Sequence, residues 1–181
     1  MCKKLLKMFT TQLQGLFKRI QEKEEMAIED GARLLAQAAI GEGKIYIVGI
    51  NEMKAVEIEA LYGAEPFKGV YEWQGIESIS TLTNADRVIL ISRFSHDEQA
   101  FQIGQGLSDN NIPFVSISSE ISSDQSSLVQ LADVHIDLRL TKGLLPNNEG
   151  NRYGFPSSMA ALFAYYALKY TLEEILEEYE D

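Results

Sequence analysis

The stretch RVILISRFS, residues 87–95, decides the fold class, because its unbroken apolar run ends abruptly in small polar residues. The same pattern occurs in IYIVGINE, residues 45–52, and in FVSISS, residues 114–119. Strands that are apolar on both faces are typical of a parallel sheet covered by helices on both sides. Ligands of such sheets bind beyond the carboxyl ends of the strands. The polar ends of these three strands are therefore the predicted location of a functional site.

Helical patterns flank and separate these strands. Apolar residues at three- and four-residue steps predict a long helix over about residues 3–37. A final helix, apolar on all sides in its first half, is predicted over 157–179. Shorter strands are predicted at 69–73 and 134–138. The alternation of strands with helices predicts a three-layer α/β/α fold with a five-stranded parallel, flavodoxin-like sheet.

Two local patterns give more detailed predictions. Ser95 and Glu98 match the Ser-x-x-Glu capping box that begins a helix. His135 alternates with apolar residues in the last strand, so we expect its ring to face solvent at the edge of the sheet.

The length of 181 residues fits one domain with a sizeable core. We expect a single domain over residues 1–181, made of an N-terminal helical segment (1–40) and an α/β core with the final helix (43–181). No apolar stretch approaches the roughly 20 residues that a bilayer span requires. The single cysteine, Cys2, excludes an internal disulfide and agrees with a reducing compartment. A cytoplasmic protein is therefore expected.

Charge excludes some partners and indicates another. The net charge of −11 should repel a phosphodiester backbone, so nucleic acid is not an expected partner. Residues 1–20 carry only basic charges and residues 173–181 only acidic ones. These ends either meet across a homodimer interface or form two solvated helix faces. Packing of the basic helix against the core or a partner subunit is favoured over a membrane surface, because its following turns are acidic.

The predicted cleft at the strand ends collects polar side chains from distant parts of the chain. Helix starts offer free backbone N–H groups and a positive dipole end, which bind anions, and serine hydroxyls add donors. Helix capping alone also selects serine at such positions. The predicted ligand is small, anionic and rich in hydroxyls. Its predicted binding residues are Asn51, Glu52, Ser92, Arg93, Ser95, His96, Ser118, Ser119, Ser157 and Ser158.

Five segments resemble, in order and spacing, the sugar isomerase (SIS) domain of phosphosugar isomerases and phosphosugar-responsive regulators. They are residues 44–49, 85–92, 111–118, 127–133 and 156–160. The resemblance implies a flavodoxin-like sheet, dimerisation and a sugar-phosphate pocket. Within the family the chain looks most similar to phosphoheptose isomerase-like proteins and their uncharacterised relatives.

The chain departs from the family pattern at the phosphate-binding positions. A Gly-x-Ser usually follows the first strand, where this chain has Asn51, Glu52 and Met53. The family's phosphate loop usually reads Ser-x-Ser-Gly-x-Thr, but here Phe94 replaces the second serine and Asp97 the threonine. A carboxylate at that position would repel a phosphate dianion.

Isomerisation between an aldose and a ketose needs a base that moves a proton between adjacent carbons. Phosphoheptose isomerases resemble one another in a glutamate after the first loop and a histidine on the last helix. Glu65, or else Glu57 or Glu59, is the candidate glutamate, and His96 is the candidate histidine because the last helix has none. No cofactor or metal site is predicted, since nothing in the spacing demands a zinc ligand set.

Three functions remain open at this stage. The favoured one is a non-catalytic or regulatory module that binds a phosphorylated sugar or a related carbohydrate derivative. The alternatives are a sugar-phosphate isomerase of the phosphoheptose isomerase type and, more weakly, a degenerate dimerisation scaffold. The altered phosphate loop and the missing histidine favour the binding module.

Overall fold

A computed structural model describes residues 2–121 and 126–180 of the chain. Its helices are α1 (Cys2–Ile40), α2 (Lys54–Tyr62), α3 (Glu98–Asp109), α4 (Leu128–Leu131) and α5 (Ser157–Glu180). Its strands are β1 (Ile45–Gly49), β2 (Val70–Glu72), β3 (Arg87–Phe94), β4 (Phe114–Ser119), β5 (Val134–Asp137), β6 (Leu145–Pro146) and β7 (Arg152–Tyr153). Short 3-10 turns occupy Asn51–Met53 and Ile76–Thr81.

Strands β1 to β5 form one parallel sheet in the order β2-β1-β3-β4-β5, and β6 and β7 form a separate antiparallel hairpin. This order is that of a flavodoxin-like doubly wound fold. The predicted three-layer α/β/α architecture with long terminal helices is therefore confirmed. All five carboxyl ends lie along one edge of the sheet, called the carboxyl edge below.

Two apolar layers cover the sheet. Helices α1, α2 and α5 pack on one face against Ile47, Ile89 and Ile117, and α3 with α4 packs on the other face against Val88 and Leu90. Alternate residues of the same strands serve the two layers, which explains why the strand sequences are apolar throughout.

Helix α1 continues without a break through Gly31. A Cβ atom at Gly31 would lie 3.2 Å from the Leu168 side chain and 3.5 Å from that of Val115. The glycine therefore lets α1 approach α5 and β4 closely rather than ending the helix.

Two aspartates fix the starts of neighbouring strands. Asp86, just before β3, accepts hydrogen bonds from the backbone N–H groups of Lys44 and Thr83, each 2.8 Å long. Asp133, just before β5, accepts one from the N–H of Phe114 at 2.9 Å. Burial opposes ionisation of Asp86, but these donors outweigh it and hold the pKa of Asp86 below its usual value. Asp86 thus holds the start of β1 beside that of β3, and Asp133 holds the start of β4 beside that of β5.

Candidate functional site

The loop after β3 is tied to its own backbone. Strand β3 continues two residues beyond Ser92, with a register shift between Ile91 and Phe94. The irregularity accompanies burial of Ser92, whose hydroxyl donates a 2.8 Å hydrogen bond to the Phe94 carbonyl. Such irregular strand ends are common next to functional sites. In this structure the Ser92 hydroxyl holds the loop rather than facing solvent.

The predicted Ser95–Glu98 capping box is wrong. Asp97 caps α3 instead, accepting a 3.0 Å hydrogen bond from the backbone N–H of Ala100. The longer β3 strand moves the helix start to Glu98, so the side chain before it becomes the cap. The Asp97 carboxylate thus occupies a backbone donor in the first turn of α3.

Arg93 and Glu52 form an ion pair across the ends of β3 and β1. The Arg93 Nε lies 2.6 Å from the Glu52 Oε1, and the two side chains are 50% and 34% exposed. The hydrogen bond raises the pKa of Arg93 and lowers that of Glu52. Pairs this exposed contribute little to stability, so the guanidinium can change partners at low cost.

The other predicted serines lie mostly inside the protein. Ser95, Ser118, Ser119 and Ser157 are buried, and Ser158 is partly exposed. The Ser119 hydroxyl accepts from the N–H of Leu140 at 3.3 Å. Within the described ranges, the hydroxyls of Ser95 and Ser118 have no hydrogen-bond partner. Buried hydroxyls without partners are uncommon and carry a free-energy cost, which a water or a ligand group would offset.

His96 and Asn51 flank the same edge. The His96 ring stacks on Phe94 with ring centroids 5.8 Å apart and an angle of 7° between planes. Asn51 is exposed and holds a left-handed backbone conformation with φ of 53°. An asparagine tolerates this conformation better than most residues, and it turns the chain from β1 into α2.

The three candidate glutamates occupy different places. Glu57 accepts a 2.8 Å hydrogen bond from the N–H of Gly49 at the end of β1. Glu59 accepts one from the Tyr166 hydroxyl at 2.6 Å, which raises the pKa of Tyr166 to about 12. Glu65 is exposed, and its carbonyl accepts from the Lys169 ammonium at 2.7 Å.

Glu65 is not brought together with His96. Lys169, which contacts Glu65, is twelve residues along α5 from Ser157 at the carboxyl edge. A rise of about 1.5 Å per residue separates them by roughly 18 Å. Glu65 therefore lies beside the middle of α5, away from Ser157 and the predicted cleft.

A cavity of about 420 Å³ opens at the carboxyl edge beside β1. Its polar and aromatic lining comes from Lys54 and Glu57 of α2, Glu72 and Trp73 at the end of β2, and Gln99 and Gln102 of α3. None of the binding residues predicted from the sequence lines it. We call it the edge cavity.

The edge cavity offers one aromatic face, two amides, two carboxylates and one ammonium group. An aromatic face binds apolar C–H surface, while amide and carboxylate side chains donate to and accept from hydroxyls. Lys54 adds a cation for an acidic group. Trp73 also packs against the apolar layer that includes Val48 and Ile103, and three separate segments build the cavity beside it. The spacing of Gln99 and Gln102, one turn apart on an exposed helix face, was an available signal.

His135 is not solvent-facing, contrary to the sequence prediction. Its Nδ1 lies 2.7 Å from the Ser116 hydroxyl on β4, and its Nε2 is buried. Parallel pairing places Ser116 directly opposite His135, and the α3–α4 layer covers both. Burial lowers the pKa of His135 from 6.5 to about 4.

No helix within residues 2–121 and 126–180 has both the length and the apolar character needed to cross a bilayer. In the same part of the chain, no three His, Cys, Asp or Glu side chains are arranged to hold a metal ion.

Solved structures share this fold. A candidate phosphosugar isomerase involved in capsule formation, from Bacteroides fragilis, superposes with a TM-score of 0.73 at 15% identity, over 98% of this chain and 92% of that one. The protein c3406 of Escherichia coli CFT073, in complex with a sugar phosphate, gives 0.67 at 16% identity, over 97% and 92%. NanR of Vibrio vulnificus, complexed with ManNAc-6P, gives 0.63 at 17% identity, over 95% and 64%. The predicted SIS fold is thereby confirmed.

The sequence itself matches a narrower group. Residues 5–176 match the profile of the domain of unknown function DUF2529, and the chain belongs to that family. The uncharacterized protein YwjG of Bacillus subtilis (strain 168) is 44% identical over 175 residues, covering 97% of this chain and 99% of that protein.

The buried His135 makes stability depend on pH. Below pH 6.5 the unfolded chain takes up a proton that the folded chain accepts only near pH 4, so stability falls as pH falls through that window. This histidine should cost about 2 kcal/mol of unfolding free energy between pH 7.5 and pH 5. Urea titrations at both pH values measure the loss of unfolding free energy between them. That loss should be about 2 kcal/mol smaller in His135→Gln than in the wild type. Equal losses in the two proteins would contradict the buried, neutral ring.

Proposed function

We propose that this protein binds a phosphorylated sugar or a related carbohydrate derivative at the carboxyl edge of its sheet, as a non-catalytic or regulatory module. The observation that carries the proposal is the edge cavity, in which Trp73 and two glutamines meet Lys54, Glu57 and Glu72 beside the end of β1. Similar folds that hold a sugar phosphate, ManNAc-6P in one of them, support it. We propose the cell's cytoplasm as its location and the whole chain as one domain.

The cavity suits a monosaccharide derivative in size and lining. Its volume of about 420 Å³ lies within the range of roughly 300–1,000 Å³ typical of small-molecule sites. In the proposed complex a sugar ring lies against Trp73, and its hydroxyls bond to Gln99, Gln102 and the carboxylate of Glu57. The Glu57 carboxylate is held in place by the N–H of Gly49.

The predicted binding residues act around this cavity in the proposal. Arg93 leaves Glu52 for the phosphate, since their half-exposed pair is readily exchanged. Glu52 lies two residues before Lys54, which lines the edge cavity. Asn51 adds an amide donor. Ser92 and Ser119 position the loops through the hydrogen bonds of their hydroxyls.

The separation of the candidate acid and base supports binding without isomerisation. General acid–base catalysis requires both groups within reach of the substrate. Glu65 contacts Lys169 in the middle of α5, and His96 stacks on Phe94. Because Glu65 and His96 lie apart, the assignment to the phosphoheptose isomerase-like branch stays a prediction.

One observation favours an isomerase as the second candidate. Glu57 is the only one of the three candidate glutamates whose side chain lines the edge cavity. A base at that position would contact the bound sugar. Turnover of sedoheptulose 7-phosphate or fructose 6-phosphate by wild type, lost in Glu57→Gln, would establish the isomerase and exclude a purely binding role.

Lys54→Gln tests the binding proposal. Loss of the cation should lower the affinity for a sugar phosphate at least tenfold, because a hydrogen bond to a charged group contributes roughly 1.5–3 kcal/mol. The affinity for the non-phosphorylated sugar should stay almost unchanged. Calorimetric titration against a sugar-phosphate panel measures both, and fluorescence of the single tryptophan, Trp73, reports entry into the cavity.

Lys68→Gln is the matched control, since Lys68 is exposed and lies outside the edge cavity. It should bind like wild type. If no member of the panel binds the wild-type protein, or if both variants lose affinity equally, the proposal is wrong. A folded dimer without any ligand would instead favour the dimerisation scaffold.

We also propose a homodimer joined through α1. The helix spans 39 residues, about 58 Å at 1.5 Å per residue, so it extends well beyond the five-residue strand β1. Its first turns expose Leu5 and Leu6, which are 44% and 63% accessible. A second copy offers a groove between α1 and α5 with an apolar floor that includes Phe163. Acidic residues of that groove are Glu22, Glu25, Glu29, Glu174 and Glu178, and its cation Arg33 pairs with Glu29.

Charge complementarity makes the basic, apolar start of α1 a suitable occupant of that groove. Light scattering at micromolar concentration should give the dimer mass at low salt. Lys7→Glu should shift the protein toward monomer, since it places like charges together, whereas Lys68→Glu should not. A monomeric wild type, or equal effects of the two reversals, would overturn this interface.

A further inference from the structure

A second cavity lies beyond the end of β5, on the other side of the carboxyl edge from the edge cavity. It has a volume of about 300 Å³. Four cationic side chains line it: Arg19 of α1, Arg139 and Lys142 after β5, and Arg152 of β7. Of the residues that the structure describes, no carboxylate is part of its lining. We call it the basic cavity.

Arg139 is held in place before any ligand arrives. Its guanidinium pairs with Glu24 of α1, with 2.8 Å between Nε and the carboxylate oxygen, and with Asp137 at 3.2 Å. Glu24 is only 5% exposed. The hydrogen bond to Glu24 raises the pKa of Arg139. The pairing ties α1 to the end of β5 and fixes one wall of the cavity.

Arg152 is fixed by carbonyl groups instead of acids. It donates to the carbonyls of Gly143 and Leu144 at 2.7 and 2.6 Å. Gly143 lies so close to the Tyr153 backbone that a Cβ atom there would overlap it. The Arg152 guanidinium is thus held in position by neutral carbonyl groups, which do not neutralise its positive charge.

Arg19 and Lys142 complete the cavity as exposed cations. Among the side chains that the structure describes, no carboxylate lies within 4.0 Å of the charged groups of Arg19, Lys142 or Arg152. A chain of net charge −11 has acidic side chains in excess, yet none is placed at these three. Like charges gathered in this way repel one another unless an anion binds among them.

We infer that the basic cavity binds an oxyanion of two or more negative charges, of the phosphate or pyrophosphate class. Guanidinium groups bind such oxyanions through paired hydrogen bonds. Glu24 and Asp137 offset the charge of Arg139, so the excess positive charge comes from Arg19, Lys142 and Arg152, and the concave walls focus its potential.

This site is separate from the edge cavity. Between β1 and β5 the sheet has three strand intervals, about 14 Å at 4.8 Å each. A monosaccharide phosphate bound against Trp73 therefore cannot place its phosphate among these cations. The oxyanion is a second ligand, bound by α1 and by the segment between β5 and α5.

Calorimetric titration of the full chain with inorganic phosphate and with pyrophosphate, at constant ionic strength, tests the inference. Pyrophosphate should bind the wild type more tightly than phosphate, because it reaches more cations. The double variant Arg19→Gln/Lys142→Gln should lose at least tenfold in affinity. Light scattering on the same samples checks that the oligomeric state is unchanged.

The control is Lys23→Gln/Lys68→Gln, which removes the same charge from exposed positions outside the basic cavity. It should bind pyrophosphate like wild type. No binding by wild type, or equal losses in both double variants, would overturn the inference. Fluorescence of Trp73 should stay unchanged on pyrophosphate binding, so failure here is distinguishable from failure of the sugar site.

Discussion

The parallel pairing of β1, β3 and β4 is the constraint on which the site depends. It brings three strand ends to one edge and leaves backbone N–H groups there that need acceptors. The chain supplies the acceptors itself, mostly as carboxylates. Glu57 accepts from Gly49, Asp97 from Ala100, and Asp137 from Glu120 and Arg139. The loops after β1, β3, β4 and β5 are thereby each closed by an internal acid.

This arrangement gives a physical meaning to the departures from the SIS sequence pattern. The Asp97 carboxylate would repel a nearby anion, but it accepts a hydrogen bond from a backbone N–H in the first turn of α3. The Glu52 carboxylate places a negative charge beside the Arg93 guanidinium and holds the guanidinium across the ends of β1 and β3. A phosphate is thus not needed to complete the loop after β3. The groups left open to a ligand lie on either side, in the edge cavity and in the basic cavity.

The sequence was sufficient for the fold and insufficient for the site. Apolar strand patterns predict buried parallel strands because both faces of the sheet are covered, as Ile89 and Leu90 show. The helix cap was misplaced because an irregularity after Ile91 lengthens β3. His135 was misjudged because alternation at a sheet edge does not reveal that α3 and α4 cover that face. The edge cavity escaped notice because its residues come from three distant segments.

The most direct test of a carbohydrate site at the carboxyl edge is a ¹H–¹⁵N spectrum of the wild-type protein during titration with a sugar phosphate. The Trp73 indole and the amides of Gly49 and Gln102 should shift together and saturate. The amides of Gly41 and Gly63, away from the edge cavity, should stay in place. Shifts confined to those distant glycines, or none at saturating ligand, would contradict the account.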